Sequence, residues 1–185
     1  LNAIENLGSM DVLCTDKTGT LTEGVVQLDG AWDESGVTSA RVMEIAATNA
    51  ALQSGLVNPL DEAIQQAHQP HLDGVTKVAE IPYDFVRKRL SVIVRGPDGV
   101  RLLTKGAVEQ VLAVCTRQAD GSAIDDDARK RLRERATGWT RHGIRVLAAA
   151  SRGMQEKPLY GRDDECDLVF EGFLTFLDRP KAGVS

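Results

Sequence analysis

The chain has 185 residues, 42% of them hydrophobic and 26% charged, with a formal net charge of −5. That length accommodates one substantial core, or one domain with pieces of another, and the composition is that of an ordinary globular protein. The acidic balance argues against nucleic acid as the main partner, because phosphate backbones need a basic surface.

The first residues, LNAIENLG, lack the basic-then-apolar pattern of a signal peptide. The run from Met10 to Cys14 is compact, apolar and bounded by turn residues, which predicts a short buried strand. A second short strand is expected near Val25 to Leu28. SARVMEIAATNAALQS reads as a helix with Ser39 as its N-cap and Val42, Ile45, Ala46 and Ala50 on one face. NPLDEAIQQA reads as a second helix with Pro59 in its first turn. VTKVAEI, RLSVIVR and VRLLTK are β-rich, and Gly96-Pro97-Asp98-Gly99 joins the last two as a hairpin.

Gly106 introduces a predicted helix over AVEQVLAVC, and a longer helix begins near Asp125 with Ala128, Leu132, Ala136 and Trp139 on one face. Gly143 sits in a C-cap position after it. IRVLAAAS is a strand, and DLVFEGFLTFLD a final strand or strand pair. The longest apolar stretches are broken by Arg145 and Glu171, so no segment is read as crossing a membrane, and the chain as given is expected to be soluble. The class is α+β, with an α/β fragment at the ends and no internal repeat.

Three cysteines, Cys14, Cys115 and Cys166, lack metal-ligand spacing and read as reduced, buried, small apolar residues. The basic run from Arg129 to Arg135 follows three aspartates and contains Glu134, so it reads as a solvated helix face with local ion pairs. His68, His71 and His142 read as surface or helix-end residues.

Three stretches carry chemistry. Asp16 stands at the carboxyl end of the first predicted strand, where open α/β sheets place their ligands. A carboxylate there can take up a phosphoryl group, with Lys17, Thr18, Gly19 and Thr20 offering charge and donors, although an isolated Asp-Lys pair also suits an ordinary turn. In Pro82-Tyr83-Asp84-Phe85-Val86-Arg87-Lys88-Arg89-Leu90-Ser91 an aromatic ring lies beside three consecutive cations, a set that fits a nucleotide with its ring stacked and its phosphates facing cations. A strand with an inward aromatic and a basic edge fits the same letters. Thr104-Lys105-Gly106-Ala107 puts a lysine beside glycine where a strand gives way to a helix, which suits an anionic ligand.

The complete string Asp16-Lys17-Thr18-Gly19-Thr20-Leu21-Thr22 resembles the phosphorylation signature of the P-type ATPases, and the other motifs follow in the order that family uses. The resemblance implies that Asp16 is phosphorylated by ATP and that Asp16 and the Thr18 carbonyl help hold Mg²⁺. Aligned on Leu90-Ser91, Tyr83 falls on the adenine-stacking aromatic, with Phe85 as a competing ring, and Lys88 on a nucleotide-contacting lysine. Lys105-Gly106-Ala107 matches the Lys-Gly-Ala motif, Asp61 falls on an acidic residue facing the adenine, and Arg145 on an arginine reaching the phosphates. Haloacid-dehalogenase-like phosphatases carry a second Asp where this chain has Thr18, a departure that lets a phosphoenzyme persist.

The resemblance further implies an antiparallel sheet flanked by helices as nucleotide-binding domain (25–170), preceded by the leading piece of a haloacid-dehalogenase-like phosphorylation domain (1–24) and followed by a return hinge (171–185). Remaining parts of the phosphorylation domain, the actuator domain and the transmembrane domain of the same pump are the implied partners, placing the chain at the cytoplasmic face of the inner membrane. The wording of NLGSMDVLCTDKTGTLT and EGFLTFLDRPK is most similar to bacterial Mg²⁺-transporting pumps, with H⁺ or Ca²⁺ pumps and a free-standing phosphatase as alternatives. The strings Thr-Gly-Asp and Gly-Asp-Gly-x-Asn-Asp, which complete the family's phosphorylation site, do not occur, so this chain is expected to bind ATP without turnover.

Overall fold

The computed structural model describes residues 22–55 and 58–180. The expected strand at Met10 to Cys14, the phosphorylation string through Leu21 and the haloacid-dehalogenase-like segment lie outside the described residues. Val26–Leu177 form one compact unit, and of the remaining described residues Thr22–Val25 and Asp178–Pro180 fall outside it.

Local sequence fixes the helices at their starts. Helix α1 (Ala40–Leu52) begins where the Ser39 side chain accepts the Val42 N–H, and α2 (Pro59–Ala67) where Asn58 accepts the N–H groups of Leu60 and Asp61. After the short α3 (Val108–Leu112), α4 (Asp126–Arg141) is capped by Asp125 accepting from Ala128. Gly143, at φ +76°, follows α4 as the sequence predicts.

Strands β1 (Thr22–Trp32), β2 (Thr76–Ile81), β3 (Arg89–Gly96), β4 (Gly99–Gly106), β6 (Arg145–Met154) and β7 (Leu168–Pro180) form a sheet in the order β1-β7-β6-β4-β3-β2, with the short β5 (Cys115–Gln118) pairing β7 in parallel. The β2–β3, β3–β4, β4–β6 and β6–β7 pairs are antiparallel, and Gly96 pairs Gly99 across the hairpin. The expectation of an antiparallel sheet flanked by helices holds.

Alternation along each strand builds one core on each face. Val92, Val94, Leu103 and Ala149 pack with α1 and α2, whereas Ile93, Leu102, Ala148 and Ala150 pack with α3 and α4. The last strand is one strand because it carries a bulge: Ala149 pairs Gly172 and Ala150 pairs Phe170, leaving Glu171 as the extra residue. The bulge sends Phe170 and Phe173 to the same face, 5.0 Å apart between ring centroids.

Three readings need correction. The helix expected over AVEQVLAVC stops at Leu112, and Cys115 opens β5, whose place is fixed by pairing with Leu168–Phe170 rather than by local pattern. The second strand runs from Thr22 to Trp32, well beyond Leu28, because it pairs along β7. Cys115 is buried as expected, but Cys166 is exposed: it lies on the loop before β7, where its sulfur and carbonyl face Arg152. Most of the basic stretch of α4 is a solvated face, with Arg133 paired to Glu109 and Lys130 to Glu134, whereas Arg129 turns in to the carbonyls of Leu112 and Cys115.

Candidate functional site

At the end of the sheet where β4 finishes and β3 and β6 begin, a cleft of about 630 Å³ opens. Its lining includes the apolar Leu60, Leu90 and Leu147 and brings together Asp61, Tyr83, Lys88, Lys105, Gly106 and Arg145. A volume of this size suits a small-molecule ligand, and few polar groups among apolar ones suit orientation of a flat one. Asp16, Lys17 and Thr18 lie outside the described residues. No group of three or more His, Cys, Asp or Glu side chains among the described residues is placed to hold a metal ion.

The surrounding chain fixes several of these residues. The ammonium of Lys105 meets the carboxylate of Asp61, and both are nearly fully buried. Asp61 also accepts from Gln53 Nε2 at 2.5 Å and Asn58 Nδ2 at 2.7 Å. Burial pushes the Lys105 ammonium below its ordinary value, and the Asp61 charge opposes that shift. Asn58 therefore caps α2 and orients its acid at once. Nothing local signals Gln53, which arrives from the end of α1.

Gly106 is needed for close approach. A Cβ there would lie 2.5 Å from the Lys88 carbonyl oxygen and 2.6 Å from Arg89 Cα, and the Ala107 N–H donates to that same carbonyl at 2.9 Å. The glycine lets loop 82–88 settle directly on the end of β4. Lys88 itself is left-handed, at φ +45°, a strained conformation for a side chain with a Cβ.

Loop 82–88 carries two rings. Tyr83 and Phe85 both line the cleft, edge to face at 5.6 Å between centroids, and both are exposed, Phe85 at 86%. Of the three consecutive cations, only Lys88 lines the cleft. Arg87 and Arg89 turn instead to Glu165, so the reading in which all three face a phosphate needs correction. The cause is a buried carboxylate that must be neutralised.

The site can thus offer the rings of Tyr83 and Phe85, the cations Lys88 and Arg145, and the buried Lys105–Asp61 pair, a set complementary to a flat heterocycle bearing anionic groups.

Residues 12–183 match the family model described as the P-type ATPase cytoplasmic domain N. The chain belongs to the P-type ATPases. Within that family it is 42% identical to "Magnesium-transporting ATPase, P-type 1" of Salmonella typhimurium, over 98% of this chain and 21% of that protein. The protein of the same name from Escherichia coli is 39% identical over the same shares, and the "Plasma membrane ATPase" of Zygosaccharomyces rouxii is 30% identical over 82% of this chain and 17% of that one. The P-type ATPase chain described here spans about a fifth of the length of these relatives. No helix among the described residues is long and apolar enough to cross a membrane.

Proposed function

We propose that this chain binds ATP in the cleft beside Tyr83 and serves as the nucleotide-binding domain of a Mg²⁺-transporting pump. The observation that carries the reading is the convergence of Asp61, Tyr83, Lys88, Lys105, Gly106 and Arg145, from four separated stretches of sequence, on one cleft. Adenine stacks on Tyr83 or Phe85 beside Leu60, Leu90 and Leu147, the buried Lys105–Asp61 pair lines the pocket, Lys88 contacts the nucleotide and Arg145 reaches the phosphates.

In the whole pump, Asp16 receives the γ-phosphoryl group: its carboxylate oxygen bonds to phosphorus as the bond to the β-phosphate breaks and ADP departs. Mg²⁺ supplies counter-charge to the phosphates when bound. Thr18, in place of a second carboxylate, offers no proton shuttle to hydrolyse the phosphoenzyme quickly. Domain closure brings nucleotide and Asp16 together, and phosphorylation then biases membrane elements between ion-facing states. The Mg²⁺ assignment draws on identities of 39–42% with proteins named for magnesium transport, against 30% for the plasma membrane ATPase.

The test is an ATP titration of the chain with and without Mg²⁺, followed by amide NMR shifts. Shifts clustered at Tyr83, Lys88, Lys105 and Arg145, with Asp16 quiet, are expected. Shifts centred on Asp16 with Tyr83 silent would overturn the placement, and steady phosphate release lost in Asp16→Asn would overturn binding without turnover.

A further inference from the structure

Glu165 is separated from the cleft's aromatic loop by more than 70 residues, yet it is the point on which that loop is fastened. Its side chain is fully buried, on the loop between the 3-10 turn Arg162–Asp164 and β7. It accepts from Arg87 Nη1 at 2.5 Å, from Arg89 Nε at 2.8 Å and from Ser91 Oγ at 2.7 Å, and Ser91 Oγ in turn meets Thr104 Oγ1 at 2.7 Å. Arg87 is the hub of the loop. Its Nη2 donates to the Pro82 carbonyl at 2.6 Å, and its Nε pairs with Asp84.

Asp84 gathers the rest. Its carboxylate accepts the N–H groups of Val86 at 2.9 Å and Arg87 at 2.7 Å, and its carbonyl accepts the Lys88 N–H at 2.8 Å. Arg89 Nη1 donates to the Gln110 carbonyl at 3.1 Å, tying the start of β3 to α3. Loop 82–88 is therefore a single spiral wound on one guanidinium, and that guanidinium is anchored on a buried charge. Tyr83, Phe85 and Lys88 project from the same spiral into the cleft.

We infer that Glu165 is a positioning residue for nucleotide binding: through Arg87 it sets the shape of loop 82–88, and so the place of the stacking rings and Lys88. Its functional half rests on the nucleotide reading of the cleft. Glu165 touches no ligand, and its effect passes through the loop. Removing its charge leaves two guanidinium groups without their buried partner, so Arg87 turns to water and the spiral loses its hub.

The experiment compares the 185-residue chain with Glu165→Gln and Arg87→Met by amide hydrogen exchange and by ATP titration. In Glu165→Gln the amides of Val86, Arg87 and Lys88 exchange at least tenfold faster while those of α4 keep their rates, and ATP affinity falls about tenfold. Arg87→Met leaves Glu165 paired to Arg89 and Ser91, and gives the same local pattern if Glu165→Gln does not fold. Unchanged loop exchange in a folded variant overturns the inference, and so does acceleration spread evenly over α4 and the sheet. If the parent binds ATP and Tyr83→Ala weakens it while Glu165→Gln does not, the inference alone fails. If the parent does not bind ATP, the nucleotide reading fails, and loop exchange decides the positioning.

Discussion

Lys105 and Asp61 form an ion pair at the base of the cleft, with side chains only 6% and 4% exposed. The partners are unequal. Asp61 keeps two other donors, Gln53 and Asn58, whereas Lys105 depends on Asp61 to hold its charge against burial. Asp61→Asn is expected to cost about 3 kcal/mol of unfolding free energy, the usual consequence of stranding one member of a buried pair. Lys105→Met should cost less, and the double variant should recover part of the loss. Urea unfolding of the three variants, closed as a double-mutant cycle, measures this ordering.

Two glycines give opposite expectations. Gly106→Ala forces a methyl against the Lys88 carbonyl and Arg89, and is expected to lose about 2 kcal/mol along with ATP affinity. Gly138 lies inside α4 with nothing within 4 Å of a built Cβ, so Gly138→Ala should gain about 0.7 kcal/mol. Thermal melts and ATP titrations of both variants check the contrast.

Lys88 separates stability from binding. Replacing it by glycine removes the left-handed penalty of about 1 kcal/mol but frees the unfolded chain, so stability should stay within about 0.5 kcal/mol of the parent. The cation is lost from the cleft, and ATP affinity should fall about tenfold. A parallel loss of both properties in denaturation and titration would contradict this.

The two described cysteines should behave unlike each other. Burial pushes the Cys115 thiol up to about 12 from an ordinary 9.0. Its neutral form therefore stabilises the fold fully below pH 9, and that contribution is lost as pH rises from 9 toward 12. Mass-mapped maleimide labelling at pH 7–9 should find Cys166 modified in the folded state and Cys115 modified only on unfolding.

What the sequence discloses is local, or periodic. Ser39, Asn58 and Asp125 mark helix starts with their own side chains, and the Gly96–Gly99 turn announces its hairpin. The α+β class follows from strand-like and helix-like patterns of the same kind, whereas the antiparallel, helix-flanked arrangement is implied by the family resemblance. What it withholds depends on partners far along the chain. CTRQ has too few letters to signal a strand and is one only because β7 lies alongside. Arg87, Lys88 and Arg89 look equivalent until a buried carboxylate more than 70 residues later takes two of them. The six cleft residues were legible through motifs, but Gln53 was not, since its role exists only where α1 ends beside α2. The bulge at Glu171 is likewise invisible in a run of mostly consecutive apolar residues.

That bulge, and the strands beside it, also decide how the module can be handled. Gly172 would bring a Cβ within 2.0 Å of the Trp32 carbonyl, while three residues on, Thr175 Oγ1 lies 2.8 Å from Asp29 Oδ2. As numbering rises on β7 it falls on β1, so the two strands run in opposite directions. The unit's first and last strands thus present their outer ends side by side, about one strand spacing of 4.8 Å apart. A cut-and-paste consequence follows: residues 26–177 can be spliced into a tight hairpin of an unrelated host without stretching either polypeptide, and a short glycine bridge across the same two ends would yield circular permutants opened elsewhere.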